Sequence, residues 1–145
     1  MKHCLKLTVV IIEALLLAIL LGGCGLIGGV PQFSVSPQGY DFGRIGPDEP
    51  VTTNFTVSNS GSAPLKIDSV TTSCGCTTAQ LSGQTVAPGA TVDLDVTFDP
   101  QAHNGATGKF VRYVYLRTND SDQPEVEVKL EVEVMADAAA QEELQ

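Results

Sequence analysis

The chain has 145 residues, of which 43% are hydrophobic, 17% charged and 6% aromatic, with 17 Asp and Glu against 8 Lys and Arg and a formal charge of −9. That length suits one ordinary domain, and apolar content at this level excludes global disorder. The basic residues are few and scattered, which excludes a nucleic-acid partner, because binders of polyphosphate gather Lys and Arg on one face.

The first element in chain order is the apolar run Leu7 to Leu21, preceded by Lys2 and Lys6 and followed by Gly22, Gly23 and Cys24. This is the layout of a secretory leader. At about 15 residues the run makes roughly 22 Å of helix, short of the ~30 Å hydrocarbon core that a spanning helix crosses. Leu21-Gly22-Gly23-Cys24 resembles the lipobox of bacterial lipoproteins. The resemblance implies removal of residues 1–23 as a signal peptide, attachment of lipid, palmitate included, to Cys24, and a tether over residues 24–32.

A competing reading is an uncleaved anchor helix from Leu7 to Val30 with Cys24 an ordinary thiol. Two features weaken the lipobox reading: Glu13 inside the apolar run, whose ionised side chain costs roughly 2.5–3.5 kcal/mol inside lipid, and Gly22, which is not the commonest residue at its position. Both readings place the domain in the cell envelope, outside the cytoplasm and held to a membrane. Several acyl chains hold firmly where one alone binds marginally. Loss of the leader takes two lysines and one glutamate, leaving the domain one charge more acidic. An anionic domain is repelled by anionic lipid, so it is expected to stand off the bilayer on its tether.

From Phe33 onward the apolar period is two. Val126, Val128, Leu130, Val132 and Val134 alternate with Glu125, Glu127, Lys129, Glu131 and Glu133, which puts the apolar side chains on one face of a strand. Val92, Leu94, Val96 and Phe98 alternate in the same way with Asp93, Asp95 and Thr97, and Phe55 and Val57 share a face with Thr53. Asn59-Ser60-Gly61, Pro88-Gly89, Asp99-Pro100 and Asn104-Gly105 supply the turns. About seven antiparallel strands follow: Tyr40–Ile45, Val51–Ser58, Leu65–Val70, Cys76–Leu81, Ala90–Phe98, Lys109–Thr118 and Glu125–Met135. The fold class is all-β, an immunoglobulin-like β-sandwich over residues 33–135 preceded by an apolar signal helix. No cysteine pair is spaced to bridge two sheets, so packing alone is expected to hold them. Residues 136–145 read as an acidic tail.

Three stretches, Tyr40-Asp41-Phe42-Gly43-Arg44-Ile45, Asn59 to Leu65, and Thr72-Ser73-Cys74-Gly75-Cys76-Thr77, together resemble the DUF1573 family of bacterial envelope proteins. Ala87-Pro88-Gly89, Val96 to Pro100 and Thr118-Asn119-Asp120 extend the resemblance over Gln38 to Met135. It implies a sandwich similar to the major-sperm-protein and ASPM/SPD-2/hydin domains, which are generally scaffolding or binding modules.

The one constellation with chemical potential is Cys74-Gly75-Cys76. Residues i and i+2 of an extended segment share a face, so the sulfurs converge. Three readings stand: a strained and easily reduced disulfide, a Cu(I) site of two soft thiolates, and two small thiols packed at a turn whose shape Gly75 provides. Zinc lacks ligands, and blue copper needs two histidines where the mature domain has only His103. His103 with Asp99 has no nucleophile motif beside it and reads as a solvated loop residue. Asp93, Asp95 and Asp99 read as an exposed acidic face, and Asn119 to Asp122 as a turn with at most weak Ca²⁺ affinity.

Val111, Tyr113 and Tyr115 share one strand face, and Phe110, Val114 and Leu116 take the other. An outward tyrosine stripe suits partner contact. The bland alternative is that it packs beneath neighbouring Arg and Lys stems. Arg112 falls on the inward face, where a cation is anomalous. The reading is therefore a lipid-anchored binding or scaffolding module with an envelope-protein partner and no catalytic activity. The alternative is a thiol-redox or Cu(I)-handling accessory protein.

Overall fold

The computed structural model describes residues 28–103 and 105–136. The expected signal peptide, the expected lipidation site Cys24 and the expected acidic tail from residue 137 onward lie outside the described residues. Nine strands form two sheets: β1 (Phe33–Ser36), β2 (Gly39–Ile45), β3 (Val51–Asn59), β4 (Leu65–Thr72), β5 (Thr77–Leu81), β6 (Thr85–Val86), β7 (Thr91–Phe98), β8 (Gly108–Thr118) and β9 (Glu125–Val134). The four-stranded sheet runs β1-β3-β7-β5 and the five-stranded sheet β2-β9-β8-β4-β6. Every connection except the β8–β9 hairpin therefore passes from one sheet to the other.

Strict alternation builds the core. Phe55, Val57, Leu94 and Val96 from one sheet meet Leu65, Ile67, Val114, Leu116, Val128 and Leu130 from the other, all buried. Each such side chain is worth roughly 1.5–3 kcal/mol when fully buried. The outer face of the four-stranded sheet is hydroxyl-rich, with Thr52 bonded to Thr97 at 2.8 Å and Asn54 Nδ2 donating to Asp95 at 2.8 Å.

Two short strands were not expected, β1 and β6, and one pairing differs from the antiparallel expectation. Strand β2 lies parallel to β9, with Gly39 opposite Lys129 and Ile45 opposite Val134. The register shifts between Asp41 and Arg44, where Gly43 adopts φ +68° and its N–H donates to Asp41 Oδ1 at 2.8 Å. A bulge of this kind suits glycine, which alone takes positive φ without cost.

The sandwich has two distinct ends. β3 runs nine residues, roughly 30 Å at ~3.3 Å per residue. It starts opposite Phe98 and finishes at Asn59, beside which the chain enters from residue 28. At this entry end Ser62 and Ala63 N–H both donate to Val30 C=O, at 2.9 and 3.2 Å, and Ser60 N–H donates to Gln32 C=O at 3.0 Å. Residues 30–32, expected to belong to a tether, are therefore fastened to the β3–β4 loop. Gly61 permits this approach, because a Cβ there would stand 2.6 Å from Gln32 N and 2.7 Å from the Pro31 carbonyl carbon.

Candidate functional site

At the opposite end, β4 and β5 are joined by the crossover turn Ser73–Cys76, and Cys74 and Cys76 form a disulfide with Cα atoms 5.3 Å apart. The sulfurs do converge, but through a turn, since neither cysteine lies in a strand. Cys76 is 2% exposed and packs in a small apolar cluster with Phe98, Val132 and Val134, whereas Cys74 is only half-buried. Cys76 is thus hidden, while Cys74 packs against the same cluster and keeps part of its surface in solvent. Gly75 is exposed, lacks positive φ and has open space where a Cβ would stand. Neither a positive φ nor a close approach requires glycine at this position, and hydrogen bonds tie the turn to the strands around it.

Those bonds come from three sides. Ser73 N–H donates to Tyr113 C=O at 2.9 Å, and Tyr113 N–H donates to Ser73 Oγ at 3.0 Å. Asp99 N–H donates to Cys76 C=O at 2.8 Å, and Thr72 Oγ1 donates to Cys74 C=O at 3.0 Å. The buried Thr77 hydroxyl lies 3.5 Å from Cys74 Sγ and 3.7 Å from Cys76 Sγ. The turn hangs from β8 and from the end of β7.

Arg112 explains its own anomaly. Phe110, Arg112, Val114 and Leu116 face inward, as the alternation indicated, but Arg112 sits near the open end of the sandwich. Its guanidinium lies over the Phe110 ring at 4.9 Å, and its Nε donates to Cys76 Sγ at 3.2 Å. Sequence reasoning saw the misplaced cation but not its acceptor. The signal available was that an inward arginine needs an acceptor, and the Cys-Gly-Cys turn supplies one.

On the outer face of the five-stranded sheet, Tyr113 and Tyr115 stack with ring centres 6.2 Å apart, and Val111 beside them is 42% exposed. They stand opposite Lys129, Glu127 and Glu131 of β9. Lys129 Nζ bonds Glu131 at 2.8 Å, and that carboxylate raises the affinity of the amine for its proton. A cleft of about 270 Å³ opens next to Val111 and carries Arg44 and Lys109 together with Glu131 and Glu133. Ser73 thus joins the tyrosine row directly to the disulfide turn.

The acidic and amide motifs at the entry end are structural. Asp120 is buried, its Oδ2 accepting Phe33 N–H at 2.8 Å and its Oδ1 accepting Asp122 N–H at 2.9 Å. The Phe33 bond, opposed by burial and aided by the Asp122 and Gln123 backbone, holds its carboxyl below the ordinary value of 3.8. Asn59 Oδ1 accepts from Gln32 and Gly61 N–H, while its Nδ2 donates to Ala63 and Val86 C=O. Asn119 Oδ1 accepts Lys66 N–H at 2.7 Å. The Asn119–Asp122 turn is a latch, its oxygens already engaged with backbone donors where a Ca²⁺ site would need them. Asp95 is likewise bonded by Asn54, and Asp99 Oδ1 accepts Gln101 N–H at 2.9 Å. His103 closes a one-turn 3-10 helix, Pro100–His103. Among the described residues no three His, Cys, Asp or Glu side chains converge as a metal site.

The family model described as a protein of unknown function (DUF1573) matches residues 33–134. Among solved structures, the chain is similar to a protein of unknown function from Porphyromonas gingivalis W83, at 23% identity and TM-score 0.67, over 77% of this chain and 50% of that one. It therefore spans half the length of that protein. It is also similar to the ASH/PapD-like domain 7 of human CEP192, at 10% identity and TM-score 0.56, over 72% of this chain and 86% of that one. The VesB protease of Vibrio cholerae matches at 15% identity and TM-score 0.56, over 71% of this chain and 31% of that one. Likenesses this distant establish the β-sandwich and nothing about chemistry. No curated protein matches the chain.

Proposed function

This chain belongs to the DUF1573 family, a family of unknown function, and from that premise we propose that it is a binding and scaffolding module of the bacterial cell envelope. It is held to a membrane outside the cytoplasm by lipid on Cys24 and works without catalysis. The observation that carries the reading is the outward row Val111, Tyr113 and Tyr115, where a stacked aromatic pair adjoins an exposed valine and a cleft of about 270 Å³. Aromatic groups with polar tips are the side chains that anchor protein interfaces, and charges around them set register. The entry geometry supports the tether: residues 30–32 are clamped at the Asn59 end, so a membrane anchor preceding them leaves the disulfide turn at the end away from the lipid and the tyrosine row on the side of the sandwich.

Two measurements test this. Cys24→Ser is expected to abolish palmitate labelling and release the protein from the membrane fraction; unchanged labelling contradicts the anchor. Tyr113→Ala with Tyr115→Ala is expected to weaken recovery of an envelope partner about 30-fold or more, the effect of losing an interface anchor worth ~2 kcal/mol. Undiminished recovery contradicts the contact surface.

A second reading, a thiol-redox accessory, is favoured by one specific observation: the sulfur pair is bonded, with one cysteine half-buried and the sulfur of the other held by a cation. Its Cu(I) form requires prior reduction, because bonded sulfurs offer no thiolate.

A further inference from the structure

We infer that the Cys74–Cys76 disulfide is a directional thiol–disulfide exchange site, attacked at Cys74 by a reduced extracytoplasmic dithiol and releasing Cys76 as a thiolate stabilised by Arg112. This rests on the redox reading above and assigns its substrate class and the part each group plays.

Two independent asymmetries give the direction. The first is access: Cys74 is half-buried, while Cys76 is 2% exposed behind Phe98, Val132 and Val134, and exchange needs an open approach to the attacked sulfur. The second is charge. Arg112 Nε donates to Cys76 Sγ at 3.2 Å, and a neighbouring cation favours the thiolate. A leaving sulfur of lower pKa leaves faster. Access and leaving-group stability therefore select the same sulfur–sulfur polarity. Packing of the guanidinium over Phe110 at 4.9 Å and its Nη1 bond to Val111 C=O at 2.8 Å fix Arg112 in place. Arg112 acts through Cys76 and is a positioning residue.

In the first step a substrate thiolate forms a bond to Cys74 Sγ. The Cys74–Cys76 bond breaks, and its electron pair leaves on Cys76 Sγ. In the second step the substrate's other thiolate attacks its own sulfur in the mixed disulfide and expels Cys74 as a thiolate. The substrate has lost two electrons and become a disulfide, and the chain has gained them as a dithiol. The substrate's two protons pass to solvent or to the new thiolates. A dithiol on a partner docked at Tyr113 would lie beside the turn, since Ser73, adjacent to Cys74, is bonded to Tyr113 in both directions.

The experiment treats the full-length oxidised protein with excess glutathione, quenches with N-ethylmaleimide and locates both groups by peptide fragmentation. The expected result is glutathione on Cys74 and maleimide on Cys76. Arg112→Gln is expected to slow formation of the adduct about tenfold, the order of effect of a raised leaving-group pKa, and to shift the pH dependence of Cys76 alkylation upward. Arg112→Lys is expected to restore most of the rate. Glutathione found on Cys76, or a rate and pH profile unmoved in a folded Arg112→Gln protein, overturns the directional assignment while leaving a redox pair intact. A disulfide that glutathione does not open at all, or two titratable thiols on protein isolated without reductant, overturns the redox reading itself. Should Arg112→Gln fail to fold, the site of the adduct in the unaltered chain decides alone.

Discussion

The two ends of the sandwich use polar groups in opposite ways. At the entry end, Asn59, Asn119 and Asp120 direct side-chain atoms at backbone N–H and C=O groups and fasten β1 and the preceding chain to the loops around them. Around the disulfide turn, Cys74, Arg112 and the two tyrosines are partly exposed, and Val111 borders a cleft. In one dimension the entry-end motifs read as turns and the Cys-Gly-Cys motif as the one constellation with chemical potential. Three dimensions separate them by where their hydrogen bonds go: a carboxylate whose oxygens serve backbone donors builds the fold, and a buried sulfur that accepts from a cation is bonded to a half-buried one.

Substitutions should divide along the same line, with stability lost at the entry end and reactivity lost at the other. The largest loss is expected for Asn59→Ala, which removes both donors and both acceptors from a buried node; about 3 kcal/mol should vanish in urea unfolding, several unsatisfied backbone groups being exposed at once. Gly61→Ala drives a Cβ into the backbone of Pro31 and Gln32, and about 2 kcal/mol is expected by the same measurement.

Asp120 adds a pH signature. Its folded-state pKa is depressed, so its stabilisation is complete above the ordinary carboxylate value of 3.8 and is lost as pH falls below that value through the depressed one. The melting temperature of the unaltered chain should drop in that acid window. Asp120→Asn should flatten this part of the profile and cost about 1–2 kcal/mol at neutral pH, because only one of its side-chain atoms accepts.

Smaller effects are expected at the disulfide end. Cys74→Ser with Cys76→Ser removes a cross-link closing a very short loop and should cost about 1–2 kcal/mol. Gly75→Ala, with open space and no positive φ, should stay within about 0.5 kcal/mol. A reversal, with Gly75→Ala crippling and Gly61→Ala neutral, would break the contrast between the ends.

What could be read from the sequence follows the strength of local pattern. β9 and β7 were legible because valine and leucine alternate with charge at strict period two, and the inward phase of Phe110, Val114 and Leu116 was legible for the same reason. β1, four residues of Phe-Ser-Val-Ser, and β6, two residues long, are too short to show a period. The parallel pairing of β2 with β9 joins segments more than eighty residues apart, and no local preference encodes it. The sulfur pair was visible as a candidate, but its asymmetry depends on Arg112 reaching across from another strand. The roles of Asn59 and Asp120 lay in long-range bonds to Gln32 and Phe33, so local sequence showed turns and not the latches they form.

The central functional claim is that the tyrosine face of the five-stranded sheet meets an envelope partner. Its most direct test places a photo-crosslinking amino acid at Val111, and separately at Thr56 on the outer face of the other sheet, in intact cells. The account predicts a discrete higher-mass adduct from position 111 and none from position 56; adducts of equal yield from both positions, or from position 56 alone, would contradict it.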